Sequence, residues 1–112
     1  MQTQAQSFAE ADSAFARVES LYAGDNAAIR AAFERAVMRE SRGDTTGALR
    51  QYREVAERYK GSDYGDRCRY RVAMFFRQNS LYDSARAQLA QIASSRTDEL
   101  AAESQYRIGE MY

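Results

Sequence analysis

The sequence predicts an all-α fold, a stack of antiparallel helical hairpins with about six helices. Three observations carry this. First, three columns of residues recur along the chain: Ala11, Ala48 and Ala85 stand 37 residues apart, with Phe15, Tyr52 and Leu89 in the next column and Val18, Val55 and Ile92 in the third. Alanine, a large residue four positions on and a branched residue three beyond it all lie on one face of a helix. Second, a different kind of stretch alternates with these, aligning Phe33, Tyr70 and Tyr106, and also Ala36, Ala73 and Gly109. Third, no stretch alternates apolar and polar residues at the period of two that a half-buried strand requires.

The elements follow in order. Behind an N-terminal segment expected to be flexible (residues 1–7), the first helix runs over 8–22. Gly24 reads as its stop and Asp25 as the N-cap of a second, centred on 31–41. Gly43 and Asp44 repeat that punctuation before a third helix over 45–59. Gly61, followed by Ser62 or Asp63, separates it from a fourth over 68–78. Asn79 is expected to take the left-handed stop and Ser80 to cap a fifth helix over 82–96, with Asp83 three residues on. Thr97, with acids after it where the helix dipole favours them, is expected to open the last, over 104–112. Connections of a few residues make neighbouring helices antiparallel. One such unit cannot bury its apolar face alone and stacks on its neighbours.

These residues resemble a known family. A small residue in one helix, then alanine, a large residue and a branched residue in the next, looks like the tetratricopeptide repeat. More narrowly, "ALRQYREVAERYKGSDYGDRCRYRVAMFFRQNSLYDSA" (48–85) is similar to repeats of bacterial cell-envelope proteins of the Tol–Pal-associated and outer-membrane-assembly lipoprotein type. Tyr59-Lys60-Gly61-Ser62 and Tyr106-Arg107-Ile108-Gly109 stand where those repeats carry a tyrosine-proline turn and a tyrosine–leucine–glycine motif. Lys60 replaces the proline, the period exceeds the usual one of about 34 residues, and Arg39 stands where an aromatic is expected, though Phe76 and Tyr112 keep it. The resemblance covers 8–112 as a single repeat domain. It implies a right-handed solenoid, a concave face lined by the first helix of each hairpin, a peptide or protein partner on that face, and a periplasmic or envelope location.

By position, that face would hold Phe33, Tyr70 and Tyr106, with Arg67, Met74, Arg77 and Glu110 beside them. Aromatics and arginine are the residues that most often dominate binding energy. The same rings also suit packing between adjacent hairpins, the commoner role of an aromatic stripe at helical spacing, and sequence leaves both roles open. Arg67, Arg69, Arg71 and Arg77 form the one locally basic run, expected to be a solvated face paired with acids of the N-terminal third (Glu10, Asp12, Glu19, Asp25).

Composition narrows the function classes. Lys+Arg and Asp+Glu both number 16, so no overall charge draws the chain to nucleic acid or an anionic membrane. Histidine, the commonest metal ligand and neutral-pH base, is absent. The single cysteine, Cys68, excludes an internal disulfide and reads as a small helical residue in the column of Ala31. No phosphate loop, nucleophile elbow or dinucleotide fingerprint occurs, and no cofactor, metal or catalytic residue is expected. No apolar run approaches the roughly 18 residues a membrane span needs. "SDYGD" and "GDTTG" fit helix caps rather than calcium loops. In repeat order the chain reads B-A-B-A-B-A, open at both ends, with Ile108, Met111 and Tyr112 forming a terminal stacking surface for a neighbouring subunit.

Overall fold

The computed structural model describes residues 4–22 and 25–112. Among them are six α-helices and no strands: α1 (Gln4–Leu21), α2 (Asn26–Ser41), α3 (Thr45–Arg58), α4 (Asp63–Gln78), α5 (Tyr82–Ser95) and α6 (Glu99–Glu110). The chain divides by packing into two compact units, Met1–Gln51 and Tyr52–Tyr112. Helix α1 begins at Gln4, ahead of the expected start at Phe8; the first residues of the expected flexible segment, and Gly24, lie outside the described residues.

The helices of the second type begin earlier than the matched stretches because their capping residues lie earlier. Asp25, Ser62 and Asp98 stand at equivalent N-cap positions of α2, α4 and α6. Ser62 Oγ accepts from Gly65 N at 2.9 Å, so Ser62 rather than Asp63 is the cap. Asp98, not Thr97, caps α6, accepting from Ala101 N. Asp25 makes no side-chain cap bond. Asp44 accepts from Gly47 N at 3.0 Å at the start of α3. Gly43 and Gly61 take positive φ (84° and 89°), where a side chain would be strained. At the end of α4 the left-handed residue is Ser80 (φ 60°), not Asn79. Asn79 stays near helical geometry because its Nδ2 donates to Phe75 O at 2.8 Å, which moves the turn on by one and leaves Leu81 at the N-cap of α5. Gly65 lies under the turn before its own helix. A Cβ there would stand 2.3 Å from Tyr59 O, so only glycine fits.

In the first unit α1 packs on α2. Ala28, Ile29, Ala31, Ala32 and Ala36 bury one side of α2, and small side chains let a second helix approach. Ala11, Phe15 and Val18 of α1 are only half-buried. Arg35 ties the pair together, reaching Asp12 at 2.9 Å and Glu19 at 2.6 Å, and its pKa is raised chiefly by the Asp12 hydrogen bond. Arg39 Nε donates to Gln51 Oε1 at 2.8 Å, linking α2 to the start of α3.

In the second unit α5 packs between α4 and α6. Its core is Ala73, Leu89 and Ile92, fully buried, with Tyr70, Met74, Leu100, Ile108 and Met111 packed around them. Tyr52 and Val55 of α3 are buried as well, the Tyr52 ring lying 6.3 Å from that of Phe75. The repeat columns thus coincide with the deepest positions of α3 and α5. Cys68 is fully buried, and burial pushes its thiol up to about 12. Arg69, expected at a solvated face, is 3% exposed. Its guanidinium donates to Gln88 Oε1 (2.6 Å), Ala56 O (3.3 Å) and Glu57 Oε1 (3.2 Å), so three helices meet on one buried cation. The acids that pair with Arg67, Arg69 and Arg77 belong to the same unit as these arginines: Asp63 for Arg67 (2.8 Å), Glu57 for Arg69 and Glu110 for Arg77 (3.8 Å).

Candidate functional site

Helices α4 and α6 place six of the seven expected binding residues in one unit; Phe33, half-buried on α2, belongs to the other. Arg107 links the members that meet. Its Nε donates to Tyr70 Oη (3.3 Å) and to Glu103 Oε1 (3.1 Å), and its Nη1 donates to Glu110 Oε1 (2.8 Å). Its Cζ lies 5.7 Å from the centroid of the Tyr106 ring. Tyr70 Oη in turn donates to Glu103 Oε1 at 3.1 Å, and Arg77 approaches Glu110 at 3.8 Å.

The electrostatics follow from that arrangement. Tyr70 is raised above an ordinary phenol, first by burial and then by Glu103, against the opposing hydrogen bond from Arg107. Arg107 is raised by Glu110 and Tyr70, so it stays charged at any physiological pH. The result is a small polar lattice holding one phenol hydroxyl, with a second tyrosine, Tyr106, beside it that is 63% exposed. A lattice of this kind presents fixed donors and acceptors plus an aromatic surface.

The other expected residues take different places. Met74 packs against the core, and Arg67 lies 57% exposed on α4, paired with Asp63 and 5.7 Å from the Tyr64 ring centroid. The trio expected as a terminal surface is divided. Ile108 and Met111 turn inward onto the Ala73–Leu89–Ile92 core, whereas Tyr112 is 91% exposed with the Arg86 guanidinium 4.7 Å from its ring centroid. The helical period explains the division: positions 104, 108 and 111 share the face that α5 covers, and Tyr112 falls off it.

Arg107 was legible only as part of a tyrosine–glycine motif; the spacing Glu103, Arg107, Glu110 is the ladder that marks it as a bridge on one helix face. A second hub, Arg96, had no local signal. At the C-terminus of α5 it donates to Asp63 Oδ1 (2.7 Å) and Asp66 Oδ2 (3.2 Å) at the start of α4, and to Asp98 of the next cap. Asp98 is pulled down to about 2, chiefly by the Arg96 hydrogen bond. Among the described residues no helix is long and apolar enough to cross a membrane, and no cluster of three potential metal ligands occurs.

The fold class these observations define is all-α: six helices among the described residues, with α1 packed on α2 and α5 packed between α4 and α6. Comparison with protein-family models, with curated proteins and with solved structures gives no match to the chain.

Proposed function

We propose that the chain is a non-catalytic interaction scaffold, a right-handed solenoid of helical hairpins that takes a peptide or protein partner on the face built by α4 and α6. The observation that carries this reading is the single guanidinium of Arg107, which joins the hydroxyl of Tyr70, the ring of Tyr106 and the carboxylates of Glu103 and Glu110 across two helices. Preorganised donors and a fixed aromatic ring lower the ordering cost of binding an extended segment. Placement in a bacterial envelope or membrane-associated complex rests on the likeness of residues 48–85 to repeats of envelope proteins.

The test is capture of partners from the native membrane fraction. Tyr106→Ala removes an exposed ring and should leave helicity intact. If the ring is a binding anchor, its truncation costs about 2 kcal/mol, roughly thirtyfold in affinity. Tyr70→Phe keeps the packed ring and removes the hydroxyl, and should weaken capture less. Unchanged capture by both variants would leave these tyrosines with packing alone. A second reading, a structural subunit that completes a larger assembly, is favoured by the exposure of Gly109 and Tyr112 at the outer side of α6. One stoichiometric partner complex would support it over a general adaptor.

A further inference from the structure

The repeat compares each face of α6 with a face whose covering is known. Positions 66, 69 and 73 of α4 correspond to 102, 105 and 109 of α6, with N-caps Ser62 and Asp98 fixing the register. In α4 all three are buried: Asp66 at 7%, Arg69 at 3% and Ala73 at 0%. Helix α5 and its C-cap meet each of them, Arg96 on Asp66, Gln88 on Arg69, and Leu89 with Ile92 on Ala73. In α6 Ala102, Gln105 and Gly109 are exposed, and a Cβ at Gly109 would meet nothing within 4 Å.

The helix type that covers this face in α4 is the type to which α1 belongs. Ala14 of α1 and Tyr22, just past its end, correspond to Gln88 and Arg96, and both are exposed. Moreover, the two open faces have lost charge together. Arg69 with Gln88 becomes Gln105 with Ala14, and Asp66 with Arg96 becomes Ala102 with Tyr22. Had only one side changed, docking would bury a charge without its partner, which is strongly unfavourable. Among the described residues, the exposed large hydrophobics other than Leu81 and Tyr82 are Leu21 and Tyr22 on one surface and Tyr106 and Tyr112 on the other. The polar partners also correspond. Tyr70 Oη meets Glu103 and Arg107, and the residues a second copy's α2 would bring to Tyr106 at those positions are Arg30 and Glu34, the same two charges in reverse order.

We infer that the outer face of α6, marked by Ala102, Gln105 and Gly109, docks the α1 helix of a second copy of this chain, so that copies associate head to tail. This rests on the repeat-stack reading of the fold and not on peptide binding at the Arg107 site. A head-to-tail contact is heterologous: each dimer still offers one free face of each kind, and association continues beyond two copies unless a ring closes.

The experiment is sedimentation equilibrium of the purified chain over a concentration series, with two variants. Gly109→Arg fills open space on α6, and Ala14→Arg places a charge on the exposed side of α1. The mass of the unsubstituted chain should rise with concentration, and each variant alone should be a monomer with unchanged helicity. An equimolar mixture of the two variants should form a dimer and stop there, because one supplies an intact α1 face and the other an intact α6 face. A monomer at every concentration up to the solubility limit would overturn the inference while leaving partner capture through Tyr106 standing. Association blocked by Gly109→Arg but not by Ala14→Arg would show that another element covers α6. A dimer indifferent to both substitutions would refute the interface outright. Should Gly109→Arg misfold, Ala102→Arg tests the same face.

Discussion

Arg96 gathers Asp63, Asp66 and Asp98 from two helix starts, though Asp63 lies 33 residues away in the chain. Nothing local in "SSRTDE" distinguishes it from an ordinary helix-end arginine; only the return of α5 to the foot of α4 makes it a hub. Its effect should appear in acid. Asp98 is held at about 2 against an ordinary 3.8, and Asp63 is lowered too, both chiefly by Arg96. A carboxylate whose folded pKa lies below its unfolded value stabilises the fold above the unfolded value, and that contribution drains away as pH falls through the folded one. The melting temperature should therefore fall between about pH 4 and pH 2, and Arg96→Gln should lower it at neutral pH and flatten that slope. Thermal melts followed by circular dichroism across the pH series decide it: parallel curves for the two proteins would separate the acid response from Arg96. Arg69 teaches the same lesson at lower visibility. Read in sequence it is one of a basic run; folded, it is buried and donates to Gln88, Ala56 and Glu57.

Helices were the most legible level. Alanine, a large residue and a branched residue at fixed spacing named the buried stripe of α3 and α5, and Tyr52, Val55, Leu89 and Ile92 are all within 3% of complete burial. The same columns in α1 are less well covered, with Phe15 and Val18 half-buried. That contrast sets the energetics. Leu89→Ala should cost about 3 kcal/mol, since a fully enclosed leucine loses its transfer energy and leaves a cavity. Phe15→Ala, at a half-buried position, should cost about 1–2 kcal/mol despite the larger deletion. Urea titrations of the two variants provide the check, and a costlier Phe15→Ala would show α1 to be better enclosed than its exposure indicates. Helix ends were read less well than helix interiors. Periodicity is a sum over many residues, whereas an end turns on one hydrogen bond. Asn79 Nδ2 bonding to Phe75 O is enough to hand the left-handed position to Ser80, and Asp98 rather than Thr97 takes the α6 amide.

For the molecule as a whole, acids and bases are equal in number; Arg35 and Arg39 pair with Asp12, Glu19 and Asp44 inside the first unit, and later arginines with Glu57, Asp63, Asp66, Asp98, Glu103 and Glu110 inside the second. Spacing told which faces are apolar. It could not tell that Ile108 and Met111 turn inward while Tyr112 does not, because that depends on where α5 lies against α6. The candidate face was half legible for the same reason. Tyr70 and Tyr106 announce themselves by register, but Arg107 joins them only once two helices are side by side. One buried group offers a way to watch this assembly open. The Cys68 thiol is enclosed on α4 and un-ionised at neutral pH, so an alkylating reagent can reach it only during the moments when α4 parts from its neighbours. Labelling of Cys68 is then a clock for breathing of the second unit, slow in the unsubstituted chain and quickened by Leu89→Ala. Mass spectrometry of timed samples reads it, and equal labelling rates in the two proteins would mean that the thiol meets solvent by some motion other than the loosening of α5.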